Sequence, residues 1–266
     1  MSEIFHYTSI ASLALILKSN KIRFSRLDGV DDILEAQTHV GINFGQYFFV
    51  SCWTKTKEES IPQWHMYGND MKGIRIQMPT YPFRRVALKS GNYEGLYIPD
   101  GTSSPLSWSQ STGEDYLILP PQNDDFLYGS VNYVSDVNKN YASRISREPS
   151  QFGGERVVIK DLPTLARLKS DSWQFQDEYR FQLLALPSPK SVSDRYGQAL
   201  SNAFLSNIAP SITYIDVPLK QGAFDELVVT MGPKSSASDL ILVEALLNQY
   251  APNAKVEESA LSGTIR

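Results

Sequence analysis

The sequence predicts a single α+β domain, on three observations. Extended and helical runs both occur along its 266 residues, and no internal repeat, heptad seam or linker divides them. The composition is 42% hydrophobic and 20% charged, enough apolar material for one sizeable core. Aromatic residues are abundant, with 14 Tyr, 12 Phe and 4 Trp, as a strand-rich fold requires.

The elements follow in order. EIFHYT (3–8) reads as a short strand, and SIASLALILKSN behind it as a helix capped by Thr8 or Ser9. KIRFSRL is extended again. DDILEAQTHV starts a second helix, with Asp32 as N-cap and Glu35 three residues on as in a capping box. YFFVSCWT is a buried strand by its β-branched and aromatic content. IPQWHMYGND is a short helix or turn with Pro62 in its first turn, and KGIRIQM is a strand. Residues 89–123, rich in Gly, Ser, Pro and Asn, read as a long polar loop insertion of functional or mobile character. GSVNYVSDV is extended and PTLARLKS helical. WQFQDEYRF (173–181) reads as a strand whose aromatic row alternates with Gln174, Gln176, Glu178 and Arg180. FDELVVTMGP is a strand, SDLILVEALLNQY a helix capped by Ser238, and Lys255 to Arg266 a last strand.

Composition excludes several classes. The net charge is −4 with a pI near 5.5, so there is no global basic footprint for nucleic acid, although KSNKIRFSR (Lys18 to Arg26) is locally basic. Cys52 is the only cysteine, and His6, His39 and His65 form no spaced ligand motif with it, so neither a disulfide framework nor a metal is expected. MSEIFHYTS lacks the pattern of a secretory signal, and no apolar run approaches the roughly 20 residues of a membrane span. A soluble cytoplasmic protein with no membrane partner is the expectation.

Two constellations could carry chemistry. Period two puts His6 and Thr8 on one face of the first strand and Tyr7 on the other. On the late strand Gln176 and Glu178 share a face, with roots about 6 to 7 Å apart, and could hold two hydroxyl groups of one ligand. Taken alone, each has a plain structural reading: a satisfied core histidine and a solvated strand face. A glutamate is useful where positive charge develops, as in cleavage of a glycosidic bond. With no second well-placed carboxylate, a reaction with a good leaving group fits better than ordinary glycoside hydrolysis. Asp31, Asp32 and Glu35 read as cap and dipole residues rather than a cation site. Trp64 and Tyr67, at i and i+3, suggest packing. Arg180 should pair with an acidic neighbour or steady Glu178. Trp108, an aromatic in the polar loop, is a candidate substrate contact.

FHYTSIASLALILKSNKIRFSRL, DDILE, WHMYGNDMKGIRI, WQFQDEYRF and ELVVTMGPKSS together resemble a widespread bacterial family of unknown function whose members carry HYT, NDxxE, WxxYxxxxxG and WxxExExR in that order. The resemblance covers most of the chain. Three departures are visible: Asp31 replaces the Asn of NDxxE, Ser51-Cys52 stands where Cys and Phe are common, and Gln176 replaces the first Glu of ExE. More distantly this pattern resembles ADP-ribosyltransferases, whose HxT element lies on an early strand and whose catalytic glutamate lies on a late one, as ExE or QxE. That resemblance implies split β-sheets flanked by helices. NAD would be the substrate, with Glu178 on the nicotinamide-side ribose as main catalytic residue and Gln176 orienting the acceptor. His6 would meet the adenine-side ribose, supported by Thr8 within the HYT element that includes Tyr7. One of Tyr47, Trp64 and Tyr67 would stack on nicotinamide, and Arg23, Ser25 and Arg26 would approach the pyrophosphate; an exposed basic edge strand is the plain alternative for these three.

The expectation is an NAD-dependent ADP-ribosyltransferase modifying a protein or nucleic acid, with a toxin or anti-phage effector as its setting and an antitoxin as a candidate partner. Two alternatives share the residues: an NAD or nucleotide glycohydrolase, and a non-catalytic nucleotide-sensing or interaction module.

Overall fold

The structure is a computed structural model and describes residues 2–93, 96–149, 154–187 and 206–265. The chain forms an α+β fold around one large mixed sheet of 10 strands. These are β1 (Glu3–Thr8), β2 (Lys21–Arg26), β3 (Phe48–Thr54), β4 (Ile74–Pro79), β5 (Tyr116–Leu119), β6 (Tyr128–Ser130), β7 (Glu178–Pro187), β8 (Tyr214–Pro218), β9 (Val228–Met231) and β10 (Lys255–Glu257). The main helices are α1 (Ile10–Ser19), α2 (Ile61–Met66) and α3 (Ala237–Tyr250).

The strand order is β5-β7-β3-β1-β4-β9-β10, with β6 added to β7 and the pair β2-β8 added to β3. All pairings are antiparallel except β9 with β10. The centre is the long β7-β3 ladder, in register from Glu178↔Thr54 to Leu184↔Phe48. The other edge of β3 is shared by two strands. β1 pairs with it through Phe5↔Thr54, and β2 through Ser25↔Val50 and Arg26↔Phe49. Between these contacts the strands splay, so the sheet forks into a β1-β4-β9-β10 branch and a β2-β8 branch.

Both faces of the sheet are buried, which explains the density of apolar residues in the strands. Alternate residues Tyr179, Phe181, Leu183 and Ala185 of β7, with Phe49 and Trp53 of β3, join a core covered by Leu13 and Leu17 of α1 and Val243 and Leu247 of α3. Leu184 and Leu186 of β7, with Phe48 and Val50 of β3, face a second core built by Phe126, Val137, Tyr141, Ile145, Leu165 and Leu168. Each large side chain so buried contributes on the order of 1.5–3 kcal/mol.

Local chemistry sets the ends of the helices. Ser9 caps α1 by accepting from Ser12 N at 3.0 Å, and Asn20 closes it in the left-handed region at φ 53°. For α3 the cap is Ser236, in a capping box with Asp239, and not the expected Ser238. The last strand is only β10, with residues 258–265 outside it and Arg266 outside the described residues.

Four further expectations are corrected. WQFQDEYRF is not one strand: Asp171–Gln176 is a 3-10 helix, Asp177 sits at φ 41°, and β7 begins at Glu178 with every residue buried. The aromatic alternation there reflects a helix-to-strand junction. DDILE makes a 3-10 turn, Ile33–Ala36, capped by Asp32, and Glu35 turns inward rather than completing a capping box. The described residues of 89–123, which leave out Glu94 and Gly95, lie among two short antiparallel ladders, Val86–Ala87 with Ser103–Ser104 and Gly91–Tyr93 with Leu96–Ile98, followed by a helical turn Trp108–Ser111 and by β5. PTLARLKS divides into a helical turn Leu162–Leu165 and a strand Leu168–Ser170 that pairs in parallel with Asn132–Val134.

Candidate functional site

A cavity of about 280 Å³ opens at the fork in the sheet. Consecutive residues of two strands line it, Phe5 to Tyr7 of β1 and Val50 to Trp53 of β3. Successive strand residues point to opposite faces, so the cavity lies in the gap between the splayed strands, across the thickness of the sheet. His6 Nδ1 donates to the Cys52 carbonyl at 2.8 Å where the β1-β3 ladder is open. That bond assigns the proton to Nδ1. Burial lowers the His6 pKa, and the Cys52 contact opposes this only in part, so the ring is neutral near pH 7.

Gln176 and Glu178 enter from the far side. The left-handed Asp177 between them is held by Thr54 Oγ1, which donates to the Asp177 carbonyl at 2.9 Å, and by Thr56 Oγ1, which donates to its carboxylate. Gln176 Nε2 donates to the Tyr67 hydroxyl at 2.6 Å, and Gln63 Nε2 to the Gln176 carbonyl at 2.9 Å, tying this junction to α2. Among the described residues the Gln176 side-chain carbonyl, on a residue only 5% exposed, has no hydrogen-bond partner. Neither has Arg180 Nη2. Both residues line the cavity, and a buried polar atom left unsatisfied in a cavity wall is an invitation to a polar ligand.

Glu178 is 5% exposed and doubly paired: Oε1 meets Arg180 Nε at 2.6 Å and Oε2 meets Lys169 Nζ at 3.1 Å. Its backbone N–H donates to the Tyr133 hydroxyl at 2.9 Å. Burial pushes the carboxyl pKa up, but Arg180 and Lys169 outweigh it and hold the pKa at about 2. Arg180 lies two residues along β7 from Glu178, and Lys169 comes from the segment Leu168–Ser170 nine residues before it, so both cations that hold the glutamate ionised are close to it in sequence.

Of the residues singled out in the sequence, His6, Tyr7, Arg23, Ser25, Tyr67, Gln176 and Glu178 line the cavity. Arg23 stands at its mouth, paired with Asp216 at 2.9 Å and over the Tyr214 ring at 3.6 Å; β2 is an interior strand, not a basic edge. Thr8, Tyr47, Trp64 and Trp108 are not among the lining residues. Thr8 ends β1 opposite Ile74, and Tyr47 is fully buried in the second core. Trp64 is fully buried against Tyr7, with Nε1 donating to Glu59 at 2.8 Å. Trp108, at the start of its helical turn, packs at a 43° tilt against Tyr93 with ring centroids 4.6 Å apart and is half-buried, so it is not a free loop aromatic. Tyr67 is the one candidate for stacking that reaches the cavity. Arg26 pairs with Asp28 at 2.7 Å instead of facing it.

The residues missed are Lys169, Gln63 and Cys52, while Asp31, read as a cap and dipole residue, lines the cavity and Glu35, read the same way, pairs with Arg180. Lys169 carries no signal, because a lysine in a polar-apolar run reads as surface. Glu35 of DDILE and Arg180 of WQFQDEYRF carry no sign of burial in the sequence, and only the structure brings the two together.

Among the described residues no group of three or more His, Cys, Asp and Glu side chains is placed to hold a metal ion, and no helix is long and apolar enough to cross a membrane. Protein-family models, curated proteins and solved structures contain no match to the chain.

Proposed function

We propose that the chain is an NAD-dependent ADP-ribosyltransferase whose reacting centre is the cavity at the fork. One observation carries the reading: His6, Tyr67, Gln176 and Glu178, drawn from distant parts of the sequence, line a single cavity between splayed strands of one sheet. The fork in the sheet supports a split-sheet reading of the fold, which the sequence resemblance implies. The volume, about 280 Å³, is at the small end of ligand pockets and suits the nicotinamide-ribose end of the dinucleotide, with the phosphates leading out past Ser25 and Arg23.

The roles follow from chemistry. Glu178, kept ionised, accepts from the ribose 2′-hydroxyl and offsets the positive charge that develops as the bond to nicotinamide breaks. A carboxylate offers about four lone-pair directions, so two ion pairs leave capacity for a ligand. Gln176, with its unpartnered carbonyl, orients the incoming acceptor. Tyr67 supplies a ring at the wall, and neutral His6 a ring edge on the opposite side. A second reading, a nucleotide-binding module without turnover, is favoured by the capture of both Glu178 oxygens by Lys169 and Arg180.

The test is transfer of label from adenylate-labelled NAD into cell lysate by wild type, Glu178→Gln and Gln176→Ala, each shown to be folded. Labelled products are then digested separately with protease and nuclease. Label that both substitutions reduce supports the transferase, and the digestion names the acceptor. Released nicotinamide without label selects a glycohydrolase; saturable NAD binding with neither product selects the module.

A further inference from the structure

We infer that Glu35 is a positioning residue of this site, acting on Glu178 through Lys169 and Arg180. Glu35 does not line the cavity, whereas the other three do. Yet the four side chains close a ring of alternating charge. Glu35 Oε2 meets Arg180 Nη1 at 2.5 Å, Arg180 Nε meets Glu178 Oε1 at 2.6 Å, and Glu178 Oε2 meets Lys169 Nζ at 3.1 Å, all hydrogen-bonded ion pairs, while Lys169 Nζ lies 2.9 Å from Glu35 Oε1 as an ion pair without hydrogen-bond alignment. Glu35 and Arg180 are fully buried, and the other two are each 5% exposed.

The anchor of this ring is on the Glu35 side. The 3-10 turn that carries it is capped by Asp32, and the Glu35 carbonyl accepts from the Tyr141 hydroxyl at 2.8 Å. Arg180 Nη1 also donates to the Ala166 carbonyl at 2.6 Å. Two cations and two carboxylates sum to zero, so each carboxylate is balanced without being over-neutralised. Without the Glu35 charge, Lys169 and Arg180 would both have Glu178 as their single acidic partner in the ring. They would then draw its oxygens out of the cavity and cancel the negative charge that must meet a developing cation. A charged group removed from the cavity would thereby disable the group that faces it. Desolvation makes such a ring costly, and a requirement to aim one carboxylate accounts for its presence.

The inference rests on the transferase reading, so the test carries one readout that depends on turnover and one that does not. The first is kcat and KM for NAD in wild type, Glu35→Gln and Glu35→Asp, normalised to the folded fraction. The second is the alkaline titration of the Lys169 ammonium followed by NMR in side-chain-labelled protein. Glu178 and Glu35 raise the Lys169 pKa against its burial. Glu35→Gln should therefore move that titration to lower pH, and should cut kcat on the order of 10- to 100-fold at little changed KM, with partial recovery in Glu35→Asp. An unshifted Lys169 titration, or a wild-type kcat per folded molecule, overturns the inference. If folded wild type does not turn over NAD, the transferase reading falls and the Lys169 shift alone decides whether Glu35 sets the charge of the ring. Should Glu35→Gln fail to fold, the double variant Glu35→Gln/Lys169→Met removes one charge of each sign. It must then restore a folded protein with a cooperative melt, and a double variant that also fails to fold would refute the ring.

Discussion

Replacing Glu178 by Gln probes the charge ring most directly, because it keeps the shape and removes one charge. In wild type the carboxyl pKa is lowered from 4.5 to about 2, and at about 1.4 kcal/mol per pKa unit this corresponds to stability on the order of 3–4 kcal/mol. That agrees with the roughly 3–5 kcal/mol lost when one member of a buried ion pair is removed. For a chain of this size the loss lowers Tm by roughly 6–20 °C. The pH dependence has a definite sign. A carboxylate with a depressed folded-state pKa stabilises fully above its unfolded value and loses that contribution as pH falls through the folded one. The stability gap between wild type and Glu178→Gln should thus be constant near neutrality and close between pH 4.5 and about 2. Urea unfolding at a series of pH values, followed by tryptophan fluorescence, measures it. A gap below about 0.5 kcal/mol at pH 7, within the range of ordinary surface substitutions, would refute the buried ring.

Two further substitutions test the frame of the site. At Gly73 a Cβ would come within 2.3 Å of the Thr8 carbonyl, so Gly73→Ala should cost about 1–3 kcal/mol in a thermal or urea melt and push β1 away from its neighbour near His6. Asp177 occupies φ 41°, so Asp177→Val should cost about 1–3 kcal/mol while Asp177→Gly, which loses mainly the Thr56 contact, stays within about 1 kcal/mol of wild type; equal urea midpoints for the two would show that the junction is not left-handed.

Much of this architecture was legible from local chemistry. EIFHYT, YFFVSCWT and KGIRIQM read as strands because β-branched and aromatic residues concentrate there, and Ser9 and Asp32 cap their turns as their side chains dictate. The QxE spacing singled out Gln176 and Glu178, and both line the cavity. WQFQDEYRF misled because an aromatic alternation of period two also suits a 3-10 turn followed by a doubly buried strand, and only the left-handed Asp177 tells the two apart. Composition likewise suggested a loose loop at 89–123, because ladders as short as Gly91–Tyr93 with Leu96–Ile98 leave no apolar pattern to detect.

The sequence by itself determined which residues could hydrogen-bond or carry charge in a reaction, since that is intrinsic to each side chain. Tertiary structure alone decided that β1 and β2 share one edge of β3 and leave a gap, that Tyr47 and Trp64 lie in the core while Tyr67 reaches the cavity, and that Lys169 and Glu35 meet Glu178 and Arg180. Charge pairing depends on distances between residues as far apart as Glu35 and Arg180, and the pKa of Glu178 is a property of those distances rather than of the glutamate.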